Sequence, residues 1–180
     1  MVRHSTGTAS FILVLIVALI FSLSLAGVVA AQGNTSLGTG ALQNNTTGSF
    51  NTAIGLDALF SNSTGSLNTA NGVNALLSNT MGDFNTANGD NALLSNTTGD
   101  FNTASGASAL FHNTTGFQNT AIGFDTLDVN TTGKNNTAIG FGANVSAEDL
   151  TNATAIGFGA VVDASNKIRL GDTSVTMIEG

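Results

Sequence analysis

The side chains able to carry acid–base or metal chemistry are few, and they are spaced like a pattern rather than a site. Past the first 31 residues there is a single histidine, His112, together with the chain's 11 acids. A histidine acting as general base needs a partner that orients it, and no Ser–Asp pair is singled out around His112. Asp83 and Asp100 stand 17 residues apart, and Asp57, Asp90 and Asp125 fall near matching places in the same rhythm. Paired carboxylates serve acid–base catalysis or hold calcium, but the sequence has neither a Gly-Gly-x-Gly-x-Asp nonapeptide nor an EF-hand loop. These acids read as solvated turn charge. Cysteine is absent, which excludes a thiolate nucleophile, Cys-ligated zinc and disulfides. Gly38–Gly40 and Gly140–Gly142 each spell Gly-x-Gly, but they belong to a repeat and not to a phosphate loop. The expectation is a protein that is not an enzyme and takes no cofactor or metal.

The remaining reactive pattern is Asn-x-Ser/Thr, the acceptor motif for N-linked glycans. It occurs at Asn34, Asn45, Asn62, Asn96, Asn113 and Asn130, where turn positions are expected to be exposed. It occurs again at Asn44, Asn135, Asn144 and Asn152. A chain this rich in Asn and Thr generates the motif by composition alone. Only 8% of residues are charged, and beyond the N-terminal segment the cations are Lys134, Lys167 and Arg169. A phosphate-binding surface needs a basic stripe, so nucleic acid is not the expected partner.

These residues are positioned by one phrase, Asn51-Thr52-Ala53-Ile54-Gly55, which returns at a fixed interval. Asn-Thr-Ala begins at Asn51, Asn68, Asn85, Asn102, Asn119 and Asn136, each 17 residues after the last. The same step reaches back to Asn34 and forward to Ala153, giving eight repeats without insertion or deletion between their starts. With columns numbered 1 to 17 from each start, column 2 is Thr and column 5 is Gly throughout. Column 8 is Ala except at Thr126, and column 9 is Leu in the first six repeats. Columns 12 to 15 mostly read Asn-Thr-Thr-Gly. So strict a period is the mark of stacked structural units, not of a disordered polar tract.

The expected fold is all-β, a parallel β-roll or β-solenoid with one repeat per rung. Two short strands per rung, near columns 1–4 and 8–10, are joined by glycine-bearing turns. Rungs spaced about 4.8 Å apart turn each column into a ladder, and eight make a rod about 38 Å long. Column 2 becomes a Thr ladder: Thr35, Thr52, Thr69, Thr86, Thr103, Thr120, Thr137 and Thr154. The core is thin. One Leu and two Ala per rung bury little against backbone entropy, at about 1.5–3 kcal/mol for each large side chain. Phe60 and Phe111 in column 10, and Phe50, Phe84 and Phe101 in column 17, therefore either fill the roll or face neighbouring chains, with assembly the favoured expectation.

The two ends differ from the array. Residues 1–31 combine Arg3 and His4, the apolar run Phe11–Phe21 and small residues Val29 and Ala31, which reads as a secretory signal helix cleaved before Gln32. An uncleaved anchor is the other reading, since about 20 apolar residues span a bilayer. Cleavage leaves no stable membrane span in residues 32–180. The array occupies residues 32–164, and residues 165–180 read as a strand pair, Lys167–Leu170 and Ser174–Ile178, acting as cap or connector. The chain stops at Gly180 as though further sequence follows.

The Asn-Thr-Ala-Ile-Gly phrase, and its Ala-Ile-Gly-Phe-Gly-Ala form at Ala138–Ala143 and Ala155–Ala160, resemble the head repeats of the YadA-like trimeric autotransporter adhesins. Related arrays occur in surface and tail-fibre-type proteins. The resemblance covers nearly all of residues 34–180. It implies a left-handed roll, three chains side by side, and display outside the cell. No heptad stalk and no membrane-anchor strands accompany it, so anchoring as an autotransporter is not implied. Three functions follow. The first is extracellular attachment to surfaces, matrix or cells as a homotrimer or homopolymer. The second is a filament or sheath subunit. The third is an ice- or crystal-surface binder using the Thr ladder.

Overall fold

The computed structural model describes residues 33–175. The expected signal segment, residues 1–31, and most of the second expected C-terminal stretch lie outside the described residues. Within them the chain is an all-β, parallel β-solenoid. Its strands are β1 (Thr35–Leu37), β2 (Thr52–Ile54), β3 (Thr69–Asn71), β4 (Thr86–Asn88), β5 (Thr103–Ser105), β6 (Thr120–Ile122), β7 (Thr137–Ile139), β8 (Asn144–Val145), β9 (Thr154–Ile156), β10 (Val161–Val162) and β11 (Ile168–Leu170). One parallel sheet takes β1 to β7, then β9 and β11, in that order.

The repeat dictates the register. Thr52 pairs with Thr69, Ala53 with Ala70 and Ile54 with Asn71, and every strand pair from β1 to β9 keeps the same 17-residue offset. Alternation along a strand turns column 3 inward and columns 2 and 4 outward, so Ala53, Ala70, Ala87, Ala104, Ala121 and Ala138 are fully buried. Each strand ends at the column 5 glycine. At Gly72 φ is +143°, and a Cβ would strike the carbonyl oxygen of Gly89 in the next rung. Only glycine fits there. The last rung is shorter: Ile168 pairs with Thr154, an offset of 14, so β11 adds a ninth strand.

The second strand expected at columns 8–10 forms only as β8 and β10, in the final two repeats. In the first six the segment is a turn, with Leu42, Leu59, Leu76, Leu93, Leu110 and Leu127 all at φ between 49° and 55°. The reason is core filling. Ala58 and Leu59 are both fully buried, as are Ala75 and Leu76, and an extended strand cannot face two successive residues inward. The left-handed leucine turns both to the interior. Where Leu gives way to Asn144 and Val161 the backbone extends, and the core residue moves to column 10, as Val145 and Val162. β-branched Val161 resists the left-handed conformation, which fits the switch in the last repeat; Asn144 tolerates that conformation, and its own preference does not explain the switch there.

Hydrocarbon alone does not fill the roll. Asparagines of columns 1 and 12, from Asn51 to Asn136, are also fully buried. In column 12 each amide donates twice. Asn79 Nδ2 reaches Asn62 Oδ1 at 2.8 Å and the Gly82 carbonyl at 3.0 Å, and Asn96 repeats this on Asn79 and Gly99. In column 1, Asn68 Nδ2 donates to the Gly82 carbonyl at 2.8 Å, while its Oδ1 accepts the Asn85 N–H at 2.9 Å. Two amide ladders thus run the length of the array and satisfy the turn backbone, as buried polar groups require. Among the described residues no buried side-chain nitrogen or oxygen lacks a partner.

Candidate functional site

The groups that could do chemistry do not converge. His112 is exposed, with Nδ1 3.0 Å from both Oδ1 and the carbonyl oxygen of Asp128, and its ring stands edge-on to Phe111. Asp83 and Asp100 carry backbone instead of facing each other: Asp83 Oδ1 accepts the Ser66 N–H and Asp100 Oδ1 the Asp83 N–H, both at 2.7 Å. They bolt successive rungs together. Asp57 and Asp125 sit at φ 55° and 58°, a conformation Asp tolerates through local hydrogen bonding, and Asp90 is exposed in another rung. Among the described residues no three His, Asp or Glu come together as a metal site would need.

Two carboxyls are held below the ordinary Asp value, both near the C-terminal rung. Asp163 is lowered first by the hydrogen bond from Lys167 Nζ, 2.6 Å away, then by its own backbone and the lysine charge. Asp172 is lowered by the Ser174 backbone N–H at 2.8 Å and by the Ser174 side chain. Asp163 is exposed and Asp172 is half-buried. Their work is to fasten the last rung.

The expectation that the sequon asparagines at the turns are exposed is corrected. Asn62, Asn96, Asn113 and Asn130 are fully buried, with both amide protons of each donated inside the array. Asn34 and Asn45 are half-buried and both donate to the Gly48 carbonyl at 2.9 Å. The exposed sequons are Asn44, Asn135 and Asn152.

What the fold presents outward is a set of files. The column 2 threonines stand in register on the sheet's outer face. Thr35, Thr69, Thr86 and Thr103 are exposed, and Thr52, Thr120, Thr137 and Thr154 are half-covered beside column 4 isoleucines. Column 4 itself is exposed, running Leu37, Ile54, Asn71 and Asn88, then Ile122, Ile139 and Ile156. On the turn side the hydroxyls of column 13 are spent between rungs. Thr80 Oγ1 donates to the Thr97 carbonyl and Thr97 Oγ1 to that of Thr114, both at 3.0 Å. Column 14 projects freely as Thr47, Thr64, Met81, Thr98, Thr115 and Thr132.

The aromatic side chains divide. Phe60 and Phe111 are half-buried in column 10. Phe50, Phe84 and Phe101 are 61%, 48% and 54% exposed, and Phe84 and Phe101 stack with centroids 4.8 Å apart. They occupy the corner before the strands. A second file, not singled out from sequence, occupies the corner after them. There Phe124, Phe141 and Phe158 stack at 5.1 Å and 5.5 Å, all exposed. Column 6 has no consensus residue, so the signal was the single-column run of three Phe at 17-residue spacing in the last repeats.

No protein-family model matches the chain, and no curated protein matches its sequence.

Proposed function

We propose that this protein is an extracellular structural and adhesive array, like an adhesin head, working as an assembly of its own copies. The observation that carries this reading is the division of its surface into files that follow the repeat. A sheet face rich in exposed Ile, Leu and Phe flanks the Thr ladder, while the turn side carries an uncharged, hydroxyl-rich file. Contiguous exposed apolar surface on this scale marks a macromolecular contact. A periodic strip of small polar groups suits an extended or flat partner better than a small molecule, which wants a concave pocket. Copies joined through the sheet faces, as a homotrimer or homopolymer, would leave the turn files outermost. The repeat resemblance supports the same reading, and secretion follows from the signal-like residues 1–31.

Retention of the purified full chain on glass, polystyrene and immobilised extracellular-matrix extract tests it. Replacing the exposed turn threonines Thr64, Thr98 and Thr115 with Lys should abolish most retention on at least one surface while the circular dichroism spectrum is unchanged. Retention no greater than that of an unrelated soluble solenoid on every surface would sink the reading.

A filament or sheath subunit is the second reading, favoured by β1. Among the described residues this strand ends the sheet and all three of its residues are exposed, so its outer edge is a template for another strand. Concentration-dependent fibres in electron micrographs would favour it over discrete assemblies.

A further inference from the structure

We propose that β1 pairs antiparallel with β1 of a second copy of this chain, so that two solenoids join by their N-terminal ends into one continuous sheet. This rests on the assembly reading above, and it gives the open edge an occupant that closes it.

The first argument is the hydrogen-bonding pattern of that edge. In later rungs the column 5 N–H donates to the column 4 carbonyl of the rung before, Gly55 to Leu37 and Gly72 to Ile54, both at 2.8 Å. The column 1 carbonyl accepts the column 2 N–H of the rung before, Asn51 from Thr35 and Asn68 from Thr52, again at 2.8 Å. In the first rung the same groups are the Gly38 N–H and the Asn34 carbonyl, and no described rung precedes them. The Thr35 N–H and the Leu37 carbonyl face β2, so alternation turns the N–H and carbonyl of Ser36 to the open side. An antiparallel partner centred on Ser36 meets all of these groups. Ser36 exchanges two bonds with Ser36 of the other copy, and Gly38 of each copy donates to the Asn34 carbonyl of the other. Each copy contributes the same groups, as a two-fold contact requires, and such a contact closes on itself instead of growing into a filament.

The second argument is what the first rung leaves uncovered. Ala41 and Leu42 are half-buried, whereas Ala58 and Leu59 at the same columns of the next rung are fully buried. Asn62 donates both amide protons, to Asn45 and to the Gly65 carbonyl, but Asn45 donates only one, to the Gly48 carbonyl. The core and the column 12 ladder therefore both stop short at this end, and a second first rung covers hydrocarbon and amide together.

The third argument is the contrast with the other end of the sheet. There β11 is the last described strand, and Arg169 pairs with Ala155 in the column whose side chains turn inward. Lys167, just before β11, is tied to Asp163 at 2.6 Å. Inward charges and edge lysines are means by which sheets discourage pairing. Adding β1 to β11 head to tail would set Ser36 over Arg169 and enclose that charge in the roll, which is costly. Residues 33–50 carry no charge, so two N-terminal ends meet without that penalty.

Columns 1 to 5 span about 17 Å at about 3.3 Å per residue, and a layer is about 10 Å deep, which gives a contact on the order of 170 Å² per copy. That is well below one partner's share of a standard interface, so two lone chains hold weakly. Copies assembled side by side add their edges, and several weak contacts made at once hold far more tightly than one.

The chain has no cysteine, so introduced thiols report cleanly. In this pairing Thr35 lies opposite Leu37 of the other copy, a non-hydrogen-bonded pair with Cα atoms about 4.5 Å apart, within disulfide range. Full-length Thr35→Cys and Leu37→Cys chains, one tagged to differ in size, are mixed and oxidised. The expected result is a disulfide between unlike chains, with little product from either variant alone. Adding Ser36→Pro to both chains removes an outward N–H and no bond to β2, so it should abolish the bridge and halve the mass by light scattering, with the circular dichroism spectrum unchanged. A bridge that survives Ser36→Pro would come from side-by-side contact and overturn the proposal. Bridging of Thr35→Cys to Ile168→Cys in its place would show head-to-tail stacking and overturn it too. An assembled chain without the Thr35–Leu37 bridge would overturn it while leaving the assembly reading intact. A mass of one chain at every concentration would remove the proposal and the assembly reading together.

Discussion

Asn79 gives one amide proton to Asn62 in the rung before it, at 2.8 Å, and the other to the Gly82 carbonyl of its own turn, at 3.0 Å. Its own Oδ1 takes a proton from Asn96 at 2.8 Å. One side chain thus closes a turn and splices three rungs, without exposure to water. Asn79→Ala orphans the Asn62 oxygen and one Asn96 N–H, and leaves the Gly82 carbonyl with Asn68 as its one remaining side-chain donor. Each buried unpaired group costs about 1–3 kcal/mol, so a loss of about 3 kcal/mol is expected by chemical denaturation. Asn44→Ala, at an exposed position, should change stability by less than about 0.5 kcal/mol. Equal losses at the two sites would show that the ladder carries no stability.

Gly82 is held to glycine by those same asparagines. A Cβ there would lie 2.5 Å from Asn79 Oδ1 and from the Gly99 carbonyl oxygen, and 2.8 Å from Asn96 Nδ2. Gly142 makes the opposite case, with φ +64° but nothing within 4 Å of an added Cβ. Gly142→Ala should cost about 1 kcal/mol, the left-handed strain alone. Gly82→Ala must push the column 12 ladder and the Gly99 turn of the next rung aside and should cost at least about 3 kcal/mol, as core overpacking does at its upper range. Denaturant midpoints of the two variants check the order.

The strands at columns 2–4, their register and the column 5 glycine follow from the 17-residue spacing, because identical residues at a fixed step must stack. The backbone sign at Leu59 does not follow from it. Ala58-Leu59-Phe60 reads as a short apolar strand, and only the need to bury two successive side chains selects the left-handed turn. Asn62 was legible as a turn residue, since Asn-Thr-Thr-Gly is turn chemistry. Its burial arises from bonds running along the stack, which no single repeat contains. The register of the Thr ladder was legible, but not the half-covering of Thr52, Thr120, Thr137 and Thr154. The Phe124, Phe141 and Phe158 file was not, because column 6 changes residue from Leu56 to Val73 to Asp90 before it begins, and exposure alone gives it meaning.

The left-handed leucines make an unusual substitution test. Leu→Ile conserves volume and ordinarily costs less than about 1.5 kcal/mol in a core. Leu93 sits at φ 52° and is fully buried, and a β-branched residue is an outlier in that region. Leu93→Ile is therefore expected to cost more than about 2 kcal/mol, approaching the cost of Leu93→Ala, which lies in the 2–5 kcal/mol range. A Leu93→Ile chain with wild-type stability would mean that the segment re-forms as an extended strand, as at Asn144–Val145. Proton exchange at the Leu93 amide, bonded to the Ala109 carbonyl at 2.9 Å, distinguishes the cases.

Acid should loosen the array from its C-terminal end. Asp163 and Asp172 both lie below their ordinary value of 3.8, through Lys167 and Ser174 respectively. A carboxyl lowered in the folded state contributes stability above its unfolded pKa and loses it as pH falls through the folded one. The window is therefore below about pH 4, and the last rung at Ile168–Leu170 is the part affected. The reporter is the Gly171 amide, which donates to the Ile156 carbonyl at 2.7 Å. Its exchange protection, referenced to the free-peptide rate at each pH, should be constant from pH 7 to pH 5 and fall below pH 4. The Thr86 amide, bonded to Asn102 at 2.8 Å in the middle of the array, should keep its protection through the same interval. Asp163→Asn removes the charge that Lys167 answers, so its Gly171 protection should start lower at pH 7 and vary less on acidification. A fall at Thr86 as steep as that at Gly171 would mean that acid acts on the whole solenoid, and that these two carboxyls do not fasten its end.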